Sequence, residues 1–275
     1  MTIEELISAK EKSGFTYQQI AYLSGLPIGT VQKVLGGITK SPRYETLQAL
    51  EKVLAPISKE FENCVCEESA LQNTNSGSMS RFDSVLARLG KKQGEYTVQD
   101  YLSLPDDLRV ELIDGYFFEM SAPYTPHQII SRDITMQLTN YINSNKGNCI
   151  PLMAPCDVQL DMDDKTMVQP DVLVLCDRSK ITKERIIGAP DFIVEVLSES
   201  TKKKDMTLKL NKYLSAGVKE YWVIDPDKQK IITYKLGDDF DASIFSFEDE
   251  VPVAIYNGKC LIDFKPIYED ISFLL

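Results

Sequence analysis

The sequence predicts an α/β domain, a sheet of mixed strand direction flanked by helices, preceded by a small all-α unit. Three observations carry that expectation. Two short β-branched runs, Val168-Gln-Pro-Asp-Val-Leu-Val-Leu-Cys176 and Pro190-Asp-Phe-Ile-Val-Glu-Val-Leu-Ser198, are apolar on both faces and bounded by Pro, Gly or polar clusters, as buried central strands are. Segments with helical apolar spacing alternate with such runs over the second half of the chain. Residues 1–58, by contrast, carry only helical patterns. Between the two, 61–80 is poor in apolar periodicity and rich in Asn, Ser, Thr and Gly, so 59–94 is read as a linker and 95–275 as the second domain.

In the first unit Thr16 is placed to cap a helix with Ile20 and Leu23 facing inward, and Gly25 to end it. Leu26-Pro27 then opens a second short helix carrying Thr30, Val31, Gln32, Lys33 and Val34, stopped by Gly36-Gly37. Two short helices joined by a Gly-containing turn, the second polar on its outer face, match a helix-turn-helix. Residues 41–54 add an amphipathic helix. A small helical dimerisation or adaptor module without DNA affinity fits the same pattern.

The second domain starts with a helix at 97–102. Asp114-Gly115 is a hairpin turn leading into a strand at 116–120. Pro126-His127 opens a helix with Ile130, Ile134, Leu138 and Tyr141 at helical spacing, ending before Gly147. Strands are expected at 150–153, 156–160, 168–176 and 192–197. A basic helix covers 201–213, the strands 220–225 and 231–234 flank a Pro226-Asp227 turn, and 251–256 is a further short strand.

Composition narrows the function. The chain has 275 residues and a net charge of -11, which argues against a protein that coats nucleic acid indiscriminately, since such binding neutralises many phosphates with Lys and Arg. Residues 1–60 hold seven basic residues against six Glu, so the remainder carries -12 and any DNA contact is made by local patches. No apolar run approaches the roughly 20 residues that span a bilayer, and the first residues lack the apolar core of a signal peptide, so a cytoplasmic location is expected. The six cysteines lack paired CxxC spacing and there is one His, which points to reduced thiols and away from a structural zinc site.

The chemistry is concentrated where apolar strands are interrupted by acids. An ionised Asp or Glu in low dielectric must be paired, bind a metal, or go neutral, and Asp171 and Glu195 both fall in such places. Two carboxylates on adjacent strands form an oxygen-rich site suited to Mg²⁺ or Mn²⁺. Lys209, on the helix that follows, would orient or deprotonate a water and offset charge on a pentacovalent phosphorus. Plainer readings stand beside these: a strand-end Asp171, a Glu195 that escapes at an edge, and a helical Asp205 to Lys209 ion pair.

The N-terminal pattern Ile20-Ala21, Gly25, Thr30-Val31, Pro42 and Thr46-Leu47 resembles the repressor-type helix-turn-helix family, which implies DNA contacts from Gln18, Thr30, Gln32 and Lys33. Tyr17 stands where that family often has a phosphate-holding Gln. The string Ala189-Pro190-Asp191-Phe-Ile-Val-Glu195-Val-Leu-Ser198, then Asp205, Lys209, Tyr213, Gly217-Val218 and Glu220-Tyr221-Trp222, is similar to the Uma2 family of restriction endonucleases, with Glu111-Leu-Ile-Asp-Gly115, His127 and Pro170-Asp171 upstream in the family's order. That resemblance implies a PD-(D/E)XK nuclease fold and metal-dependent cleavage of phosphodiesters. It makes Asp171, Glu195 and Glu111 metal-binding acids and Asp171, Glu195, Lys209, Glu111 and His127 catalytic. Leu197 occupies the position of the superfamily's motif lysine, so the basic role passes to Lys209. Glu111 read as a helix-end residue, and His127 as a half-buried residue at a helix start, are the plainer alternatives. Both resemblances imply a homodimer. A non-catalytic regulator, whose nuclease-like domain dimerises or senses a ligand, is the competing function.

Overall fold

The structure is a computed structural model and describes residues 2–13, 17–39, 42–54, 80–160, 164–198, 204–236 and 240–275. Four helices come first: α1 (Ile3–Ser13), α2 (Tyr17–Ser24), α3 (Ile28–Leu35) and α4 (Tyr44–Leu54). They bury Leu6, Ile20, Val31, Leu50 and Leu54. Gly25 adopts φ +67 after α2, the left-handed geometry that favours glycine, and Pro27 precedes α3. Gln32 and Lys33 are exposed and Thr30 is half-buried, whereas Thr16 and the side chains of Gln18 and Leu23 lie outside the described residues. Tyr17 carries Lys10 over its ring at 4.8 Å.

The stretch read as linker contains a helix, α5 (Arg81–Leu89). Ser80 accepts from the Asp83 N–H at its start and Gly90 is left-handed at its end. Phe82 and Leu86, one turn apart, are buried with Tyr96, Leu112, Phe117 and Met167 in a satellite core. A short helix, α6 (Val98–Leu102), follows behind a Thr97/Asp100 capping box.

Strands β1 (Val110–Ile113) and β2 (Tyr116–Glu119) form the expected hairpin. A Cβ on Gly115, at φ +81, would lie 2.6 Å from the Gly94 carbonyl oxygen, so the turn requires glycine. The long helix α7 (Thr125–Ser144) leads to β3 (Ile150–Met153), β4 (Val158–Gln159), β5 (Met167–Val168), β6 (Val172–Leu175), β7 (Ile186–Ile187) and β8 (Phe192–Val196). A π-helical segment, Lys204–Lys209, runs into α8 (Leu210–Ala216). Then come β9 (Glu220–Asp225), β10 (Lys230–Lys235), β11 (Asp241–Ser246), β12 (Glu250–Val253), β13 (Cys260–Asp263) and α9 (Phe264–Ile271).

Two larger sheets result, with orders β2-β1-β5-β4-β7 and β11-β10-β9-β8-β6-β3, beside a β12-β13 hairpin. Strand direction is mixed: β8 and β9 run parallel, as do β4 and β7, while the other ladders are antiparallel. Alternate residues of the six-stranded sheet serve two layers. Val172, Val174, Phe192, Val194 and Trp222 pack with Ile130, Ile134, Leu138 and Ile142 of α7. Ile193, Tyr221 and Val223 pack with Leu210, Tyr213 and Leu214 of α8. Each such apolar side chain contributes about 1.5–3 kcal/mol of burial.

Several expectations change. The single strand 168–176 is two strands in different sheets, because Pro170 lacks an N–H for a ladder and the chain crosses from β5 to β6 at residues 169–171. The 156–160 strand shrinks to β4, and 251–256 ends in a 3-10 turn. Reduced thiols do not hold throughout: the β3–β6 register, Ile150 opposite Leu175, brings Cys149 to Cys176 with Cα atoms 3.9 Å apart, and the two form a disulfide. Cys156 and Cys260 are free, and Cys64 and Cys66 lie outside the described residues. Among the described residues no helix is long and apolar enough to cross a membrane.

Candidate active site

Four elements meet where the two large sheets approach each other. On β8, Glu195 shares the face of Ile193, toward the layer of the π-helix and α8. On β1, Glu111 shares the face of Ile113 and so points into the same core. Asp171 sits one residue before β6, and extending the Val172–Val194 pairing by one step sets it opposite Glu195. His127 lies in the first turn of α7. A cleft of about 900 Å³ is lined by all four, together with Lys204, Asp205, Lys209 and Gln169.

Lys209 is the centre of this cluster. Its Nζ lies 2.8 Å from Glu111 Oε1, 2.9 Å from Glu195 Oε1 and 3.5 Å from Asp205 Oδ1. The helical pair with Asp205 is therefore the longest of its three ion pairs. Tyr213, one turn further along α8, donates its hydroxyl to Glu195 Oε1 at 2.6 Å. The Gln169 N–H donates to Glu111 Oε1 at 3.1 Å. On the other side of the cleft Asp171 Oδ2 accepts the Val196 N–H at 2.7 Å and faces His127 Nε2 at 2.9 Å. His127 Nδ1 is buried and has no hydrogen-bond partner among the described residues.

Glu111, Glu195, Asp205, Lys204 and Lys209 are each at most 3% exposed. Burial alone would neutralise all of them, and the pairs decide which stay charged. Burial pushes the Glu111 carboxyl up, but Lys209 and Lys204 beside it outweigh that and hold it at about 2. Glu195 goes the other way: burial, reinforced by the charges of Asp171, Asp205 and Glu111, keeps it well above the usual carboxylate range despite Lys209. For Lys209 itself, burial works against the proton and the surrounding carboxylates win, so its ammonium stays charged well above its ordinary range. Burial and the neighbouring Glu195 likewise raise the Tyr213 hydroxyl, which keeps its proton as a donor.

In the cleft, Asp171, Glu195 and Glu111 share one arrangement among the described residues: a first oxygen is pinned by the scaffold and a second accepts no hydrogen bond. Asp171 Oδ2, Glu195 Oε1 and Glu111 Oε1 are pinned; Asp171 Oδ1, Glu195 Oε2 and Glu111 Oε2 are not. Counting Asp205, four acids face two lysines, an excess of negative charge that a hard divalent cation would offset. The donor chemistry and charge thus fit such an ion, although no three His, Cys, Asp or Glu side chains among the described residues already converge as a ligand group.

Of the expected site residues, Glu111, Glu195 and Lys209 are in direct contact, and Asp171 and His127 form a second pair on the same cleft. Glu111 is a strand residue, not a helix end. Thr30, Gln32 and Lys33 belong to α3 and are not among the described residues that line it, and the Gln18 side chain lies outside the described residues. Sequence reasoning missed Lys204, whose Nζ lies 3.2 Å from Glu111 Oε2. Its signal was the basic run before Asp205, but residues five apart lie on different faces of an α-helix, and only π-helical winding aligns Lys204 with Lys209.

Residues 98–254 match the model of the Uma2 family, described as "Putative restriction endonuclease". An uncharacterised protein of Synechocystis sp. is 26% identical over 139 residues, which cover 50% of this chain and 72% of that protein. The fold is similar to the crystal structure of a "putative nuclease belonging to DUF820" from Anabaena variabilis, with TM-score 0.52 and 21% identity over 63% of this chain and 97% of the other. The matched segment holds more than half of the chain and the whole carboxylate–lysine cluster, and the chain belongs to the Uma2 family.

Proposed function

We propose that this protein is a divalent-metal-dependent endonuclease that hydrolyses phosphodiester bonds in DNA. The observation that carries the reading is the set of three carboxylates, each with one oxygen hydrogen-bonded to the scaffold and one that accepts no hydrogen bond, around a buried lysine in a single cleft. Glu111, Asp171 and Glu195 would hold the cation, Mg²⁺ or Mn²⁺. When bound, such an ion polarises a phosphoryl oxygen and acidifies a water. Lys209, held in two short ion pairs, keeps its proton; its role is to fix Glu111 and Glu195 and to offset charge, which replaces the expectation that it deprotonates water. His127 and the Val196 N–H orient Asp171. The α2–α3 pair, acting as a helix-turn-helix with Gln18, Thr30, Gln32 and Lys33 on the DNA, would deliver the cleft to its target, as a cytoplasmic homodimer.

The test is incubation of supercoiled plasmid with the full chain in Mg²⁺, Mn²⁺ or EDTA. Cleavage in either metal that disappears in EDTA, and in Glu195→Ala and Asp171→Ala, supports the reading. Absence of cleavage of any DNA or RNA, together with no Mn²⁺ heat in calorimetry, overturns it. A second reading, a non-catalytic regulator, draws on the full engagement of Lys209 by Glu111 and Glu195. Under it Asp171→Lys/Glu195→Lys leaves operator binding and cellular function intact.

A further inference from the structure

Lys204 is 2% exposed, yet it lines the cleft and its ammonium sits 3.2 Å from Glu111 Oε2, the oxygen on which no hydrogen bond falls. Asp171 Oδ1 and Glu195 Oε2, the corresponding oxygens of the other two acids, face no such group among the described residues. Lys209 differs in kind: it bridges the pinned oxygens Glu111 Oε1 and Glu195 Oε1 and so belongs to the scaffold. The two lysines end up on one acid because the Lys204–Lys209 segment is π-helical, a winding that stacks residues five apart and is common at functional sites. Lys204 also lies over the Phe118 ring, 5.4 Å from its centroid, which gives the ammonium a second favourable neighbour near the strand pair.

We propose that Lys204 is a displaceable stand-in for the cation: it occupies the Glu111 oxygen that a divalent ion would take, and it leaves that oxygen when the ion enters. This rests on the metal-dependent reading of the cleft and adds a residue that regulates it. Two cations on one carboxylate oxygen repel each other in a medium of low dielectric, so cation and ammonium exclude one another at Glu111 Oε2. Without the cation, Lys204 keeps Glu111 charged and the core intact. With it, the ammonium is released into a cleft whose wall it already forms.

The first test uses the wild-type full chain. It is treated with an amine-acetylating reagent in EDTA and in saturating Mn²⁺, and Lys204 modification is read by peptide mass spectrometry against Lys219, whose side chain is 69% exposed. Mn²⁺ is expected to raise Lys204 modification several-fold while Lys209 stays protected. Lys204 equally protected in Mn²⁺ that calorimetry shows to be bound overturns the proposal and leaves the metal-dependent reading standing. No Mn²⁺ heat at all overturns both. The second test is calorimetric titration of Lys204→Met and Lys204→Arg with Mn²⁺. Lys204→Met is expected to bind about tenfold more tightly than wild type and Lys204→Arg no more tightly. Unchanged or weaker binding by a folded Lys204→Met counts against displacement.

Discussion

The two walls of the cleft solve the same problem differently. On one wall Asp171 is tied at a single oxygen to a backbone N–H and to His127, and its side chain is 13% exposed. On the other, Glu111 and Glu195 are almost completely buried and are held by full charges, Lys209 between them and Lys204 beyond. The Asp171 wall tolerates change because water can reach it. The Glu111–Glu195 wall does not, because a charge left unpaired there has no solvent to turn to.

Removing the central ammonium gives the largest expected effect. Lys209→Met leaves the buried Glu111 carboxylate with Lys204 alone and takes the shared donor from Glu195, and urea unfolding should show a loss of about 3–5 kcal/mol. A loss below about 1 kcal/mol would mean that the wall is not held by charge at all. Next comes pH. Glu195 has a raised carboxyl, so the folded state binds a proton that the unfolded chain has released; its contribution to stability in EDTA is fully present below the unfolded value near 4.5 and is lost as pH rises, by up to about 1.4 kcal/mol per pH unit. Glu195→Gln should flatten that slope between pH 5 and 7. Glu111 has the opposite sign: held at about 2, its contribution is present above 4.5 and disappears only as pH falls through 2, so acid unfolding should be steeper in wild type than in Glu111→Gln.

Smaller changes sharpen the contrast. Tyr213→Phe removes one donor from the buried Glu195 and should cost about 2 kcal/mol in thermal or urea unfolding. His127→Ala removes one donor from the partly solvated Asp171, which keeps the Val196 N–H, and should cost no more than about 1 kcal/mol. If His127→Ala proved the more damaging of the two, the two walls would have been ranked the wrong way round.

Much of this was readable from local patterns. The β-branched run around Glu195, the Asp114-Gly115 turn and the Ile130, Ile134, Leu138 stripe all produced the elements expected of them, because each rests on residues close in the chain, whereas the run around Asp171 divided at Pro170 between two sheets. Glu195 and Lys209 could be paired on paper since a buried acid needs a cation and a basic helix follows it. The helix at Arg81–Leu89 was hidden by the polar residues before it, and the disulfide by the distance between Cys149 and Cys176 along the chain.

The amino-acid order by itself determined that two carboxylates would be carried into apolar strands and that a lysine-rich helix would follow, since strand burial and helical spacing are short-range properties. Tertiary structure alone decided that Glu111, from another sheet, would stand against Lys209, and that π-helical winding would bring Lys204 to its second oxygen. Those contacts join a strand residue to a helical segment far along the chain and depend on a register that α-helical periodicity does not encode, so they exist only once the layers have packed.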